Sequence, residues 1–349
     1  RKKGATFSQF QACFNLIIAL CPISPEDPSI PRFLLSKAND RGVKQLEART
    51  LFPFHFSKPQ AYRYLKSLCT EVHQLNFLLP LETHLVFSLP RILPEALKQY
   101  NWLRDFKAQE PEISKVITGL DFCGLEVGAP SKDHHYFFQK IQKETDQTGL
   151  EILYHVGEQF ENLSLETSIG WILQTSFMGI KRLGHATSLG INPHVLMEKV
   201  VWEPQQHRDL HKKWLIDNTP FLHKWGLEDF LVDFHTCYDR SKQAYKITYS
   251  KEYLNHIENL QIKTSRYLKE QGAIIECCPH SNWYLSGIKS LADHPLIAFE
   301  KRGLRVVFGT DDPGLFGTNW QSEGALIKKI TGSPFKKALL LAQKIFTRS

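Results

Sequence analysis

Seven short runs of β-branched and apolar residues, near positions 46, 87, 118, 153, 183, 275 and 307, alternate with stretches of helical periodicity. Strands separated by helices run parallel, because the crossover helix carries the chain back before the next strand begins. Seven is one short of a (β/α)8 TIM-type barrel, and the expectation is an α/β barrel whose first strand lies upstream of residue 1. The chain does not begin with Met, and Arg1-Lys2-Lys3-Gly4 reads as a cut into a longer protein.

The periodicity predicts helices over Phe7 to Leu20, Arg32 to Lys37, Pro59 to Leu79, Leu93 to Gln109 and His134 to Thr148. Further helices are expected over Ser164 to Ser176, Tyr253 to Gln271, Asp293 to Arg302, Ser322 to Ile330 and Lys336 to Phe346. Residues 22–31 form a Pro-rich connection. Strands are read at Val43 to Arg49, His84 to Leu89, Lys115 to Phe122, Glu151 to His155, Ile180 to His185, Ala273 to Cys278 and Leu304 to Gly309.

The whole chain of 349 residues, 42% hydrophobic, is read as one large domain. No apolar run approaches the length that spans a bilayer, and no stretch resembles a signal peptide. Seven Cys, most of them among apolar neighbours, predict buried free thiols in a reducing cytoplasm. The net charge of +7 is spread along the chain. It suits phosphorylated small molecules, and no recognition motif supports nucleic-acid binding.

Polar residues collect at one end of these strands. Asp121, His155, Glu158, His185 and the pair Asp311-Asp312 all fall at or just past a strand's C-terminal end, the face where barrel enzymes assemble active sites. In Val306 to Gly314 an apolar run stops at two adjacent acids, then Pro313 and Gly314 turn the chain. Two acids buried side by side need a cation or a shared proton, so a metal ligand beside a proton-transfer base is one reading. An Asx-type cap on a turn is the other. His155-Val156-Gly157-Glu158 places an imidazole and a carboxylate about a glycine that permits a sharp turn.

In this order the motifs resemble the adenosine/AMP deaminase family of metal-dependent amidohydrolases. The matches are GVKQLEAR (42–49), GLDFCGLE (119–126), HVGE (155–158), RLGHAT (182–187), CCPHSN (277–282) and GTDDP (309–313). The resemblance runs from about residue 5 to 345. It implies a (β/α)8 barrel that deaminates a 6-aminopurine nucleoside or nucleotide with zinc and releases ammonia. It further implies that His155 and Asp311 are zinc ligands and that Glu158 protonates the purine ring nitrogen N1 as hydroxide attacks C6. His185 and Asp312 would orient the attacking water and take its proton, and Gly124 would meet the purine through its backbone.

Two departures stand out. The family's first strand ends in H-x-H, which supplies two zinc ligands, and no H-x-H occurs in these residues. The expectation is that it lies upstream of Arg1, since His55, His84, His134 and His135 fall on other elements and read as surface or capping residues. The second departure is an insertion of about 191–247 between the barrel's sixth and seventh strands, rich in Trp, His, Lys and Arg. It reads as a lid or a homo-oligomer contact at the catalytic mouth, with Arg240, Lys242 and Lys246 available to phosphates. Its His207 and His211, four apart, read as a solvated helix face. Divergent members with inserts are associated with antiphage or CRISPR-linked systems, in which adenosine or ATP is the substrate. The alternative to an enzyme is a scaffold or nucleotide-binding barrel whose metal site is impaired.

Overall fold

The computed structural model describes residues 7–20, 24, 26–27, 29–53, 56–126, 131–234 and 236–332. The helix expected at Lys336 to Phe346, and His55 and His235, lie outside them. The chain divides into two compact units. One is Asn15–Gly124 with His134–Leu153; the other is Arg1–Phe14, Leu125–Asp133 and Tyr154–Ser349.

The first unit carries β1 (Gln45–Leu51), β2 (Glu82–Leu89), β3 (Ile117–Phe122) and the start of β4 (Glu151–Val156), side by side in that order and all parallel. In β2 the run Leu85 to Leu89 is buried without a break, as befits a strand covered on both faces. Gly119 is required by close packing: a Cβ there would sit 2.9 Å from Leu153 Cδ1. The helices Lys58–Leu78, Leu93–Gln109 and His135–Thr148 are the connections. Phe52 packs on Phe87 at 5.0 Å and meets Trp102 edge-on at 5.7 Å, which seats one helix against the sheet.

Among the boundaries that differ from expectation, two have a clear cause. The second helix runs Ser29–Asp40, because Pro31 sits in the first turn, where its missing N–H costs no bond. The third strand starts at Ile117, because Ile113–Val116 closes a 3-10 turn. Lys107 holds that turn, its Nζ donating to the carbonyls of Ser114 at 3.1 Å and Ile117 at 2.9 Å. His134 is neither surface nor a side-chain cap. It is buried, its Nε2 2.8 Å from the Arg91 carbonyl oxygen, while His84 sits beside Glu82 at 3.1 Å.

The second unit takes the end of β4, then β5 (Arg182–His185), β6 (Val200–Pro204), β7 (Cys237–Asp239), β8 (Ala244–Thr248), β9 (Ile274–Cys277) and β10 (Arg305–Phe308). Its main sheet runs β4-β5-β9-β10, and β9 pairs parallel with both neighbours. The seven parallel strands are the seven the sequence predicts. The insertion adds a small antiparallel sheet, ordered β6-β8-β7, and the helix Gln205–Asp217.

That helix is fastened by buried charge. Every residue from Leu165 to Ser176 in the helix Leu165–Phe177 is buried. Arg208, fully buried, lies 3.3 Å from Glu166 and 3.7 Å from Glu203. Its Nη1 donates to Ser164 Oγ at 3.3 Å, and Tyr253 donates to Glu166 at 2.8 Å. Burial pushes the Glu203 carboxyl above its ordinary range, in spite of the nearby guanidinium.

His207 and His211 correct the sequence reading. Both are buried, so the helix face they share is core and not a solvated surface. A Cβ on Gly170 would lie 2.1 Å from His211 Cε1, so the imidazole fills the notch that the glycine leaves. Burial, with Arg208 and Lys212 nearby, lowers the His211 pKa to about 3 and keeps it neutral.

Candidate functional site

The site is built at the ends of β4, β5, β9 and β10. After Val156 the chain turns through Gly157, whose φ is +69° and whose added Cβ would lie 2.5 Å from Ile172 Cδ1. Only glycine satisfies both conditions. The turn is braced by Glu126. Its buried carboxylate accepts the N–H groups of Gly157 at 2.8 Å, Glu158 at 3.2 Å and Gln159 at 3.2 Å. Three N–H donors on one carboxylate fix where the Glu158 side chain leaves the backbone.

On the next strand, Gly184 lets β5 approach β4. A Cβ there would be 3.1 Å from the Cα and Cγ of His155, and without it the His155 and His185 ring centroids lie 5.0 Å apart. His185 itself sits at φ +61° and Ala186 at +45°, held by Ala186 N–H donating to Val156 O at 3.0 Å. Asp311, at the end of β10, has φ +53°. Left-handed backbone at three non-glycine residues costs about 1–3 kcal/mol each and persists where the surroundings over-determine it.

These turns bring the charged atoms together. His185 Nε2 lies 3.6 Å from Glu158 Oε1 and 4.0 Å from Asp311 Oδ2. Donor atoms of His185, Cys278 and Asp311 all fall within 4.8 Å of one another, a group able to hold a metal among the described residues. His155 adjoins this group through its contact with the His185 ring. Asp312 follows directly, and its backbone has a second task. Its carbonyl accepts the N–H of Leu315 at 2.9 Å and of Phe316 at 3.0 Å, so it opens the short helix Pro313–Phe316.

The hydrogen-bond network assigns the tautomer of His185. Asn282 Oδ1 accepts the Cys278 N–H at 3.0 Å and faces His185 Nδ1 at 3.4 Å, while the Asn282 amide nitrogen donates to Thr187 Oγ1. The oxygen end of Asn282 therefore faces Nδ1, which carries the proton. In the neutral ring Nε2 is then a lone pair aimed at two carboxylates, an arrangement that calls for a cation or a shared proton. Nitrogen, oxygen and sulfur donors at this spacing suit zinc, whose tetrahedral ligands lie about 3.5 Å apart. The residues fit a metal.

Other expected residues serve elsewhere. In the first unit Asp121 is fully buried and paired with Arg49 Nε at 3.1 Å, with Ser88 Oγ at 3.4 Å. Gly124, also in that unit, has φ +91° and open space around an added Cβ. Arg182, in the RLGHAT run, pairs with Glu276 on the adjacent strand. Lys242 places its Nζ 3.3 Å from the centre of the Trp202 ring. Glu126, Cys278 and Asn282 lie in motifs visible in the sequence, but their contacts emerge only in the folded chain. Their signal was position within GLDFCGLE and CCPHSN.

Parallel strands joined by helices, with a histidine and carboxylate cluster at the strand ends, define a TIM-barrel type of α/β fold, and solved structures agree on that fold. An adenine deaminase from Arthrobacter aurescens superposes with a TM-score of 0.59 at 14% identity, covering 99% of this chain and 85% of that one. Arabidopsis ADAL complexed with IMP gives a TM-score of 0.60 at 16% identity, covering 97% and 76%. By sequence, residues 258–339 match the family model described as adenosine deaminase. A curated adenine deaminase from Mesorhizobium japonicum is 41% identical over 58 residues, 17% of this chain and 18% of that protein. The match thus spans about a fifth of that relative's length. The match to the adenosine deaminase family model is confined to the C-terminal part of the chain, and the likeness to solved structures, at 14–16% identity, is one of fold.

Proposed function

We propose that this protein is a zinc-dependent hydrolase that removes the 6-amino group of a purine nucleoside or nucleotide as ammonia. The observation that carries the reading is the convergence of Glu158, His185 and Asp311 from three strand ends within 4.0 Å contacts. His155 and Asp311 would hold the metal. Zinc, when bound, supplies Lewis acidity that brings the pKa of a water towards about 7.

The chain's own groups do the rest. Glu158, its side chain only 10% exposed, is held by the braced turn and gives a proton to N1 of the purine, so that charge from attack at C6 does not accumulate on the ring. His185 and Asp312 orient the attacking water and accept its proton. The proton taken from the water passes on to the leaving amine, which departs as ammonia, and the proton left on the new hydroxyl returns to Glu158, so a 6-oxopurine remains. IMP is such a 6-oxopurine, and the Arabidopsis neighbour that carries it supports a nucleotide among the candidate substrates.

The insertion over 191–247 is anchored by a buried arginine, which suits an oligomer contact better than a mobile lid. Free buried thiols such as Cys69 and Cys277 favour a reducing compartment. Among the described residues, no helix is long and apolar enough to cross a membrane. The test is zinc content by elemental analysis together with ammonia release from adenine, adenosine, AMP and ATP. Absence of bound zinc after supplementation, with no ammonia from any of the four, refutes the reading.

A further inference from the structure

We propose that Cys278 is a ligand of the active-site metal, a sulfur donor beside Asp311. The inference rests on the metal-dependent reading above and adds a donor that the resemblance does not supply.

Position is the first argument. β9 ends at Cys277, and the two adjacent cysteines part company there: Cys277 is wholly buried, with its carbonyl accepting the Gly309 N–H at 3.0 Å, whereas the sulfur of Cys278 belongs to the group with His185 and Asp311. Glycine at 309 leaves the sulfur its place, since a Cβ there would stand 3.0 Å from Cys278 Sγ, a tight contact.

Preorganisation is the second. The Cys278 backbone is held by Asn282 Oδ1, the same atom that faces His185 Nδ1. One amide oxygen thus sets the sulfur-bearing residue and the imidazole in a common frame. Asp311, held at φ +53°, turns its carboxylate to the same point. A metal ligand needs its donors placed before the ion arrives, and outer partners of this kind orient the donors.

Chemistry is the third. The Asp311 carboxylate and the Cys278 thiol are a donor pair soft enough to prefer zinc or cobalt over magnesium or calcium. Cysteine ligates as thiolate, so its proton passes to solvent when the metal binds, and uptake of metal is coupled to proton release.

Cobalt(II) titrated into the full chain tests this directly. The expected result is a near-ultraviolet sulfur-to-cobalt charge-transfer band in the wild type and in Cys277→Ala. Cys278→Ser should lose the band and bind cobalt more than about tenfold more weakly. Cys278→His keeps a donor at the position and should bind cobalt without the band, so the test survives a Ser variant that fails to fold. Cobalt bound by the wild type without a sulfur band, or a band that persists in Cys278→Ser, overturns the sulfur ligand and leaves the deaminase reading intact. No cobalt bound, with no ammonia from any aminopurine, overturns both.

Discussion

One atom, Oδ1 of Asn282, ties Cys278 to His185: it lies 3.0 Å from the Cys278 amide nitrogen and 3.4 Å from His185 Nδ1. The residue comes four positions after Cys278, in the first turns of the helix Pro279–Leu285. Replacing it by Ala should lower kcat/KM for the best aminopurine by about 10–100-fold, as outer partners of metal sites do. The Asp variant should instead bias His185 towards the doubly protonated ring, visible in its nitrogen NMR shifts. Unchanged shifts and kinetics in both variants would remove Asn282 from the site.

Glu158→Gln keeps the shape of the side chain and removes its acid. Turnover should fall by about 100-fold or more, the usual contribution of a positioned acid. Metal content should not change, since Glu158 is not a ligand in this reading. Loss of the metal in the variant would show the role to be misassigned.

Glu126 acts on Glu158 through the backbone, by accepting three successive N–H groups. In Glu126→Ala, three buried donors lose a charged acceptor, and denaturant unfolding should show a loss of about 3 kcal/mol or more. The damage should extend to kcat, because the turn no longer aims Glu158. A variant as stable as wild type would show that another group or water serves the turn.

Stability should respond to pH through Glu203. Its folded pKa is raised by burial, so the native state holds a proton that the unfolded chain releases above about 4.3. Stability is therefore lost as pH rises from that value through the folded pKa, and Glu203→Gln should flatten this limb of the curve. His211 acts with the opposite sign. Its folded pKa of about 3 lies below the ordinary value of 6.5, so stability falls as pH drops through that window. Comparing the Gln variant with the wild type at each pH isolates the Glu203 share.

Arg208 answers to the same cluster. Arg208→Met strands Glu166 and Glu203 without their cation and should cost about 3–5 kcal/mol, read from denaturation midpoints. Restoration of stability in the double variant Arg208→Met with Glu203→Gln would identify uncompensated charge as the cause.

Periodicity and turn chemistry were enough to place all seven parallel strands. Apolar runs of four to eight residues bounded by Gly and Pro have few other ways to bury themselves. The same local signal put His155, Glu158, His185 and Asp311 at strand ends, because each motif carries its own turn, such as Gly157 after β4. Local pattern failed where a distant residue decided. Lys107 converts Ile113–Val116 into a 3-10 turn, and the notch at Gly170 takes in His211 from an insertion some forty positions later.

Residue order alone thus determined the parallel-strand fold and which side chains reach its strand ends, since both follow from short-range periodicity and steric limits on single turns. Only tertiary structure decided that the insertion's histidines are core, that Asp121 pairs with Arg49, and that the Cys278 sulfur joins His185 and Asp311. Each of those outcomes depends on burial and on the distance between residues far apart in the chain, and a charge in water reveals neither until the strands that carry it have packed.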